Sequence, residues 1–128
     1  MDRAEKAVGY KHGGHNCCQA VLLAFADRTG LSEENLTALG AALGRGMGAF
    51  DATCGALCAA QMVVGLLEFD GRPLAGKAKE LHDTFKEKCG STDCGELKGL
   101  KGGPMLCPCD DCIRAAVNAV LESSAANE

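Results

Sequence analysis

The stretch from Gly44 to Phe69 constrains the fold more than any other part of the chain. It begins with a glycine-rich loop, passes through Cys54, and continues as an apolar run in which Gln61 is the main polar exception. A helix that is apolar on nearly every side must be buried. The run is too short and too interrupted for a membrane span, which needs roughly 20 apolar residues. It therefore predicts the buried central helix of a small bundle, with Cys54 in its first turn.

The sequence before this stretch predicts two further helices. Asn16 is typical of an N-cap and starts a helix that runs to about Arg28, after which Gly30 ends it. Ser32 is the expected N-cap of the next helix, because acidic residues fill the following turn. The inner side of that second helix is expected to carry three leucines at helical spacing, Leu36, Leu39 and Leu43.

The sequence after the central stretch predicts two longer helices and one short turn. An amphipathic helix runs from about Pro73 to Lys88, and a single helical turn covers Cys94 to Leu97. The last helix begins near Cys109 to Asp111 and buries one apolar side. Since no stretch alternates as a β-strand would, we predict an all-α chain of about five helices around one buried central helix.

A chain of 128 residues is long enough for one domain with its own core. We expect a single helical domain over residues 1–128, with a loosely packed N-terminal segment at 1–12 and a frayed tail at 123–128. The net charge of −4 and the scattered Lys and Arg residues leave no basic patch, so nucleic acid is not an expected partner. The apolar surplus and low net charge are compatible with a homodimer.

Nine cysteines are the compositional feature that bears most on function. The count is odd, and the charged residues after Met1 are not followed by the apolar run of a signal peptide. We therefore expect a reducing cytoplasm, where a dense set of cysteines indicates metal binding or redox chemistry more often than structural disulfides.

Four of these cysteines fall in the first turn of a predicted helix: Cys17, Cys54, Cys94 and Cys112. Unpaired backbone N–H groups and the positive end of the helix dipole favour a negatively charged ligand at such a position, and they lower the pKa of a thiol. Four thiolates that converge are stable together when a cation shares them. Four thiolates are also the usual ligand set of an iron–sulfur cluster or of tetrahedral zinc.

The other cysteines divide into core residues and secondary ligand candidates. Cys18 lies on an apolar side of its helix, where a free cysteine most often packs as a small hydrophobe, and the same reading is favoured for Cys58, four residues after Cys54. A proline-bearing turn is a poor place for a core, so its cysteines indicate a redox or metal role. The secondary candidates are Cys58, Cys89, Cys107 and Cys109.

Alternating glycines precede the central helix at Gly44, Gly46 and Gly48. This spacing alone is weak evidence for a nucleotide site, because no strand precedes it. A flexible connection between helices explains the glycines equally well. The functional interpretation is a loop facing the cluster, whose bare backbone N–H groups approach a thiolate or a cluster sulfide.

Four segments in order resemble the C-GCAxxG-C-C family of putative redox-active proteins. They are Asn16 to Val21, Cys54 to Leu57, Gly90 to Cys94, and Cys112 to Val117. The resemblance extends from about Gly13 to Val120 and implies four characteristic cysteines, which map onto Cys17, Cys54, Cys94 and Cys112. It also implies a redox role beside oxidoreductases or transporters, and iron–sulfur binding by analogy with split-Soret cytochromes. Ala59 stands where the motif expects a glycine.

The leading hypothesis is a cytoplasmic redox protein that holds an iron–sulfur cluster, or cycles a dithiol, and exchanges electrons with a partner oxidoreductase. The sequence carries no catalytic Ser/His/Asp set, paired carboxylates or phosphate loop, which is more typical of an electron-transfer or accessory protein than of an enzyme with its own substrate. Two alternatives stay open. One is a structural zinc-binding interaction module, and the other is a cysteine thiol-disulfide switch.

Overall fold

The computed structural model describes residues 2–123 and contains nine helical segments within that range. Eight are α-helices, and a five-residue π-helical turn, Gly46–Phe50, lies between α4 and α5. The α-helices are α1 Arg3–His12, α2 Cys17–Ala24, α3 Ala26–Thr29, α4 Glu33–Gly40, α5 Gly55–Glu68, α6 Ala75–Cys89, α7 Cys94–Leu97 and α8 Cys109–Ser123.

The all-α prediction is confirmed. Over residues 2–123 the backbone forms no β-strand, and the sole extended pairing there is an isolated antiparallel bridge between Thr53 and Asp93. The structure has more segments than the five helices expected, because short turns such as α3 and α7 are helices of their own. No helix of the described range is long and apolar enough to cross a membrane.

Side-chain caps fix where several helices begin. The Asn16 side chain accepts a hydrogen bond from the Gln19 N–H at 2.8 Å, and the Gln19 side chain accepts one from the Asn16 N–H at 2.9 Å. This reciprocal capping box satisfies two N–H groups that a helix start otherwise leaves unpaired. Ser32 caps α4 by accepting a hydrogen bond from the Asn35 N–H at 3.0 Å, and Asp93 caps α7 by accepting one from the Glu96 N–H at 2.9 Å. Three predicted helix starts are therefore set by local chemistry.

The predicted helix from Asn16 to Arg28 is divided at Phe25, which lies fully buried outside helical geometry. Arg3 explains the break. Its guanidinium donates a 2.6 Å hydrogen bond to the Ala24 carbonyl and lies 4.8 Å from the centre of the Phe25 ring. The Ala24 carbonyl at the end of α2 thus accepts a hydrogen bond from a residue of α1. Further along the chain, Gly30 ends α3 in the left-handed conformation.

Three helices share the centre of the fold, α2, α5 and α8, and each packs against the other two. The apolar run predicted as the one central helix is α5. Its Leu57, Ala60 and Val63 are fully buried, whereas Leu66 is 45% exposed. All residues of α2 except Gln19 are buried, so α2 is the most enclosed of the three. Small residues such as Ala20 and Ala56 let these helices approach closely.

The inner side of α4 differs from the predicted leucine stripe. Leu36 is fully buried, but Leu39 is 48% exposed, and α4 ends at Gly40 before reaching Leu43. Gly40 replaces Leu39 in the interface, because a Cβ there would lie 3.1 Å from Gln19 of α2. The contact therefore repeats after four residues rather than three.

The ends of the chain are described in part. The segment expected to be loosely packed forms α1, which contacts α2 and α8, and its Ala7 is fully buried. At the other end α8 includes Ser123, and the remainder of the predicted frayed tail, 124–128, lies outside the described residues.

Replacing the cap of α2 should destabilise the fold. We expect Asn16→Ala to lower the free energy of unfolding by about 2 kcal/mol, because it removes both an N-cap and the 3.0 Å bond from the Asn16 amide to the Gly40 carbonyl. The matched control is Ser32→Ala, which removes a cap alone and should cost about 1 kcal/mol. Urea unfolding measures the loss of stability in each variant. Equal losses would contradict the stabilising bond from Asn16 to the end of α4.

Candidate metal centre

Four buried cysteines stand at or near helix starts, as the sequence predicts. Cys17 and Cys94 are the first residues of α2 and α7, and Cys54 is the N-cap of α5. Cys112 is the fourth residue of α8. None of the four exceeds 8% exposure. All four side chains are therefore shielded from water.

A short backbone pairing holds Cys54 beside Cys94. The Cys54 N–H donates to the Thr92 carbonyl and the Cys94 N–H donates to the Ala52 carbonyl, both at 2.8 Å. These two bonds make the antiparallel bridge between Thr53 and Asp93. The starts of α5 and α7 consequently lie next to each other, although 40 positions separate the two cysteines in the sequence.

The Cys54 sulfur lies at the centre of the thiol contacts. It interacts with the thiols of Cys112 and Cys17, and the backbone N–H groups of Ala56 and Leu57 point toward it. Because the two thiols donate hydrogen bonds to it, the pKa of Cys54 falls to about 3. The same contacts raise the pKa values of Cys17 and Cys112 far above the usual range. One negative charge is thus favoured at Cys54 and disfavoured at its neighbours.

A second group of sulfurs adjoins the first at Cys112. The Sγ atoms of Cys89, Cys107 and Cys112 all lie within 4.8 Å of one another, and all three residues are buried. The Cys112 thiol also faces the Cys107 carbonyl at 3.6 Å. The hydrogen bond from Cys112 lowers the pKa of Cys89, and burial raises that of Cys107 to about 11. This buried triad could hold a metal ion.

The remaining cysteines surround these two groups. Burial raises the pKa of Cys18 to about 12 and also raises the pKa of the half-buried Cys58, which lies near Cys54. Burial raises the pKa of Cys94 as well, against the opposing charge of Lys98. The Lys98 ammonium contacts the Cys109 sulfur. All nine cysteines are free thiols, and their sulfurs form one region of the molecule.

The three loop glycines predicted to face the cluster occupy different surroundings. Gly46 packs on Cys94, since a Cβ added to Gly46 would lie 2.6 Å from the Cys94 Cβ. Gly44 instead packs on the Asn16 side chain at 2.8 Å, and nothing lies within 4 Å of a Cβ at Gly48. The loop therefore meets the thiol region at Gly46.

Sequence reasoning missed two glycines and one lysine. Gly55 and Gly95 directly follow Cys54 and Cys94, and a side chain on Gly55 would lie 2.9 Å from the Cys17 sulfur. On Gly95 it would clash with the Phe50 carbonyl. The repeated Cys-Gly pair was the available signal. Lys98, one helical turn after Cys94, was detectable by its spacing.

The two histidines near Cys17 have other partners. His12 pairs with Asp110 at 2.7 Å, and His15 Nδ1 lies 3.1 Å from the Tyr10 carbonyl. The donors that the structure gathers are therefore sulfurs.

A protein-family model described as "Putative redox-active protein (C_GCAxxG_C_C)" matches residues 15–123. No curated protein and no solved structure is significantly similar to the chain. The matched range includes all nine cysteines and every helix from α2 to α8.

A methyl group at Gly46 should disturb the cysteine region. Gly46→Ala places a Cβ against Cys94, whereas Gly48→Ala adds one in open space at a similarly positive φ. Backbone strain is thus common to both variants, and the difference reports the contacts of Gly46 with Cys94 and with the Ala52 backbone. We expect Gly46→Ala to cost about 1 to 3 kcal/mol more in unfolding free energy and to expose Cys94 to thiol reagents. Equal stability of the two variants would contradict this packing.

Proposed function

Because the chain belongs to the C_GCAxxG_C_C family of putative redox-active proteins, we propose that it holds a metal or an iron–sulfur centre on cysteine thiolates and passes electrons to or from a partner oxidoreductase. The observation that carries the proposal is the continuous series of buried sulfur contacts from Cys17 through Cys54 to Cys112 and on to Cys89 and Cys107.

The donor set fits such a centre. Sulfur is a soft ligand that selects zinc, copper(I) and iron–sulfur clusters. A single tetrahedral metal with metal–sulfur bonds of about 2.3 Å separates its sulfurs by roughly 3.8 Å. The Sγ atoms of the triad all lie within 4.8 Å of one another, so they are close to the separation that such a metal requires. When bound, an iron–sulfur centre supplies a one-electron carrier.

Charge also favours a bound cation. Cys54 is stabilised as a thiolate, but its neighbours Cys17 and Cys112 resist ionisation because a second negative charge nearby is unfavourable. A cation shared by the sulfurs removes this repulsion, so all of them can be thiolates together. The proposal thereby explains why so many cysteines are buried against one another.

We propose Cys17, Cys54, Cys94 and Cys112 as the ligands. Direct contacts join Cys54 to Cys17 and Cys112, and the backbone bridge sets Cys94 beside Cys54. The alternative ligand set keeps Cys112 and replaces others with Cys89 and Cys107. The N–H groups of Ala56 and Leu57, which face Cys54, would tune the potential by hydrogen bonding to sulfur.

The proposed setting is a reducing cytoplasm, where the many thiols of this chain would stay reduced. The proposed partner is an oxidoreductase or a transporter-associated protein that exchanges electrons with the centre. Electron exchange with such a partner requires sulfurs close to the surface, and Cys58 and Cys109 are half-buried whereas the other seven cysteines are buried.

Anaerobic purification tests the nature of the centre. We expect a coloured protein that contains iron and acid-labile sulfide, measured by metal analysis and a visible absorption spectrum that bleaches on reduction. Stoichiometric zinc without colour would instead identify a structural zinc module. A metal-free protein whose thiol count falls reversibly under mild oxidation would identify a thiol-disulfide switch.

Serine variants test the ligands. We expect Cys54→Ser to abolish metal retention, because Cys54 contacts two of the other ligands, while Cys58→Ser, one helical turn later, retains the metal. Cys17→Ser and Cys94→Ser should lose metal, and Cys89→Ser and Cys107→Ser should keep it. The reverse pattern would establish the alternative set, and equal retention in Cys54→Ser and Cys58→Ser would refute Cys54 as a ligand. Circular dichroism checks that each variant is folded.

A further inference from the structure

A cleft of about 510 Å³ opens beside the cysteine region. Cys17 and Cys109 contribute to its floor and walls, and Phe50 and Met105 provide apolar surface. The connection between α1 and α2, the glycine loop, the residue after α7 and the turn before α8 all meet there. A cleft of this size matches the usual range for sites that bind small molecules, about 300 to 1,000 Å³.

Among residues 2–123, the charged residues that line the cleft are all basic. Lys11, Arg45 and Lys98 face it, His15 adds an imidazole ring, and no Asp or Glu of the described part of the chain contributes to the lining. This is a local excess of positive charge on a chain whose net charge is −4. A cleft with one sign of charge attracts ligands of the opposite sign.

These three cations also lack acidic partners. Within residues 2–123, no carboxylate lies within the 4.0 Å ion-pair distance of Lys11, Arg45 or Lys98, whereas other basic residues such as Lys77, Lys101 and Arg114 pair with acidic ones. Lys98 is half-buried, and its ammonium contacts the Cys109 sulfur. No carboxylate of residues 2–123 therefore competes with a ligand for the cations of the cleft.

The loop that presents Arg45 is held in an uncommon conformation. Arg45, Met47 and Phe50 all have positive φ angles, between 56° and 60°, which side chains other than glycine seldom adopt. Arg45 and Phe50 both line the cleft. Tight packing of Gly44 on Asn16 and of Gly46 on Cys94 fixes the loop at this place. Strained backbone that is fixed by its surroundings is typical of functional sites.

We propose that this cleft binds a small organic anion, a carboxylate or a phosphate, whose charged group pairs with Lys11, Arg45 and Lys98 and whose remainder packs on Phe50 and Met105. The bound anion lies against the sulfurs of Cys17 and Cys109. This inference concerns a separate ligand site. It holds whether or not the proposed metal centre is correct, because Lys11, Arg45 and Lys98 are not among the cysteines proposed to bind the metal.

Two alkylating reagents of nearly equal size test the charge of the cleft. Iodoacetate is an anion and iodoacetamide is neutral, and each reacts when the Cys109 thiolate forms an S–C bond and displaces iodide. In the protein as purified, mass spectrometry gives the ratio of the two rates at Cys109 and at Cys58, which does not line the cleft. Because both reagents attack the same thiolate at each cysteine, the ratio of their rates does not depend on the fraction of that cysteine that is ionised.

We expect the iodoacetate to iodoacetamide ratio to be severalfold higher at Cys109 than at Cys58, and to decline as salt is added. Arg45→Gln should reduce the ratio at Cys109, and the control Lys86→Gln, which changes an exposed lysine of α6 outside the cleft, should not. Equal ratios at the two cysteines, or equal effects of the two variants, would overturn the proposal.

Pyrophosphate provides a second, independent test that needs no reactive thiol. A ligand that binds the folded state raises the unfolding temperature. At constant ionic strength, pyrophosphate should raise the unfolding temperature of the wild type and of Lys86→Gln, and should slow iodoacetamide labelling of Cys109 where that thiol reacts. Pyrophosphate should not change the unfolding temperature of Arg45→Gln. The same shift in all three proteins, or none in the wild type, would contradict a specific anion site. Metal content measured on the same samples separates this result from the proposed centre.

Discussion

The backbone pairing between Ala52–Cys54 and Thr92–Cys94 is the interaction on which the cysteine region depends. Its two 2.8 Å hydrogen bonds fix the starts of α5 and α7 side by side. Cys54 then meets Cys17 of α2 and Cys112 of α8, the two helices that share the centre of the fold with α5. A few polar backbone contacts thus bring sulfurs from distant parts of the sequence to one place, and the helix core holds them there.

The starts of several helices could be predicted from the sequence, because a side-chain cap depends only on neighbouring residues. Asn16, Ser32 and Asp93 cap helices as side chains of their type do, so the positions of Cys17 and Cys94 in first turns followed from the sequence. The family also was recognisable from the spacing of its motifs, and the match over residues 15–123 confirms it.

Features that depend on tertiary contacts could not be predicted in this way. The division of a helix at Phe25 needs Arg3 of α1 to bond the Ala24 carbonyl. The exposure of Leu39 follows from where α2 meets α4, which the periodicity of a single helix does not reveal. The triad of Cys89, Cys107 and Cys112 joins the end of one helix, a loop and another helix start. No spacing rule connects these three.

The buried thiols and the neighbouring cleft carry opposite kinds of uncompensated charge. The buried thiols favour one negative charge at Cys54 and resist more. The neighbouring cleft brings Lys11, Arg45 and Lys98 together beside Cys17 and Cys109, and no carboxylate of residues 2–123 pairs with these cations. A metal in the interior and an anion in the cleft would each satisfy the charge that its own site leaves uncompensated. Both proposals therefore rest on the same physical requirement, although they concern different residues.

The central claim is that the sulfurs of helix starts hold one centre. A crystal structure of anaerobically purified protein, with the metal located by anomalous scattering, tests it most directly. We predict anomalous density bonded to the Sγ atoms of Cys17, Cys54, Cys94 and Cys112. Density at Cys89, Cys107 and Cys112 without Cys17 would correct the ligand set, and nine unligated sulfurs in a protein purified and crystallised without oxygen would contradict the claim.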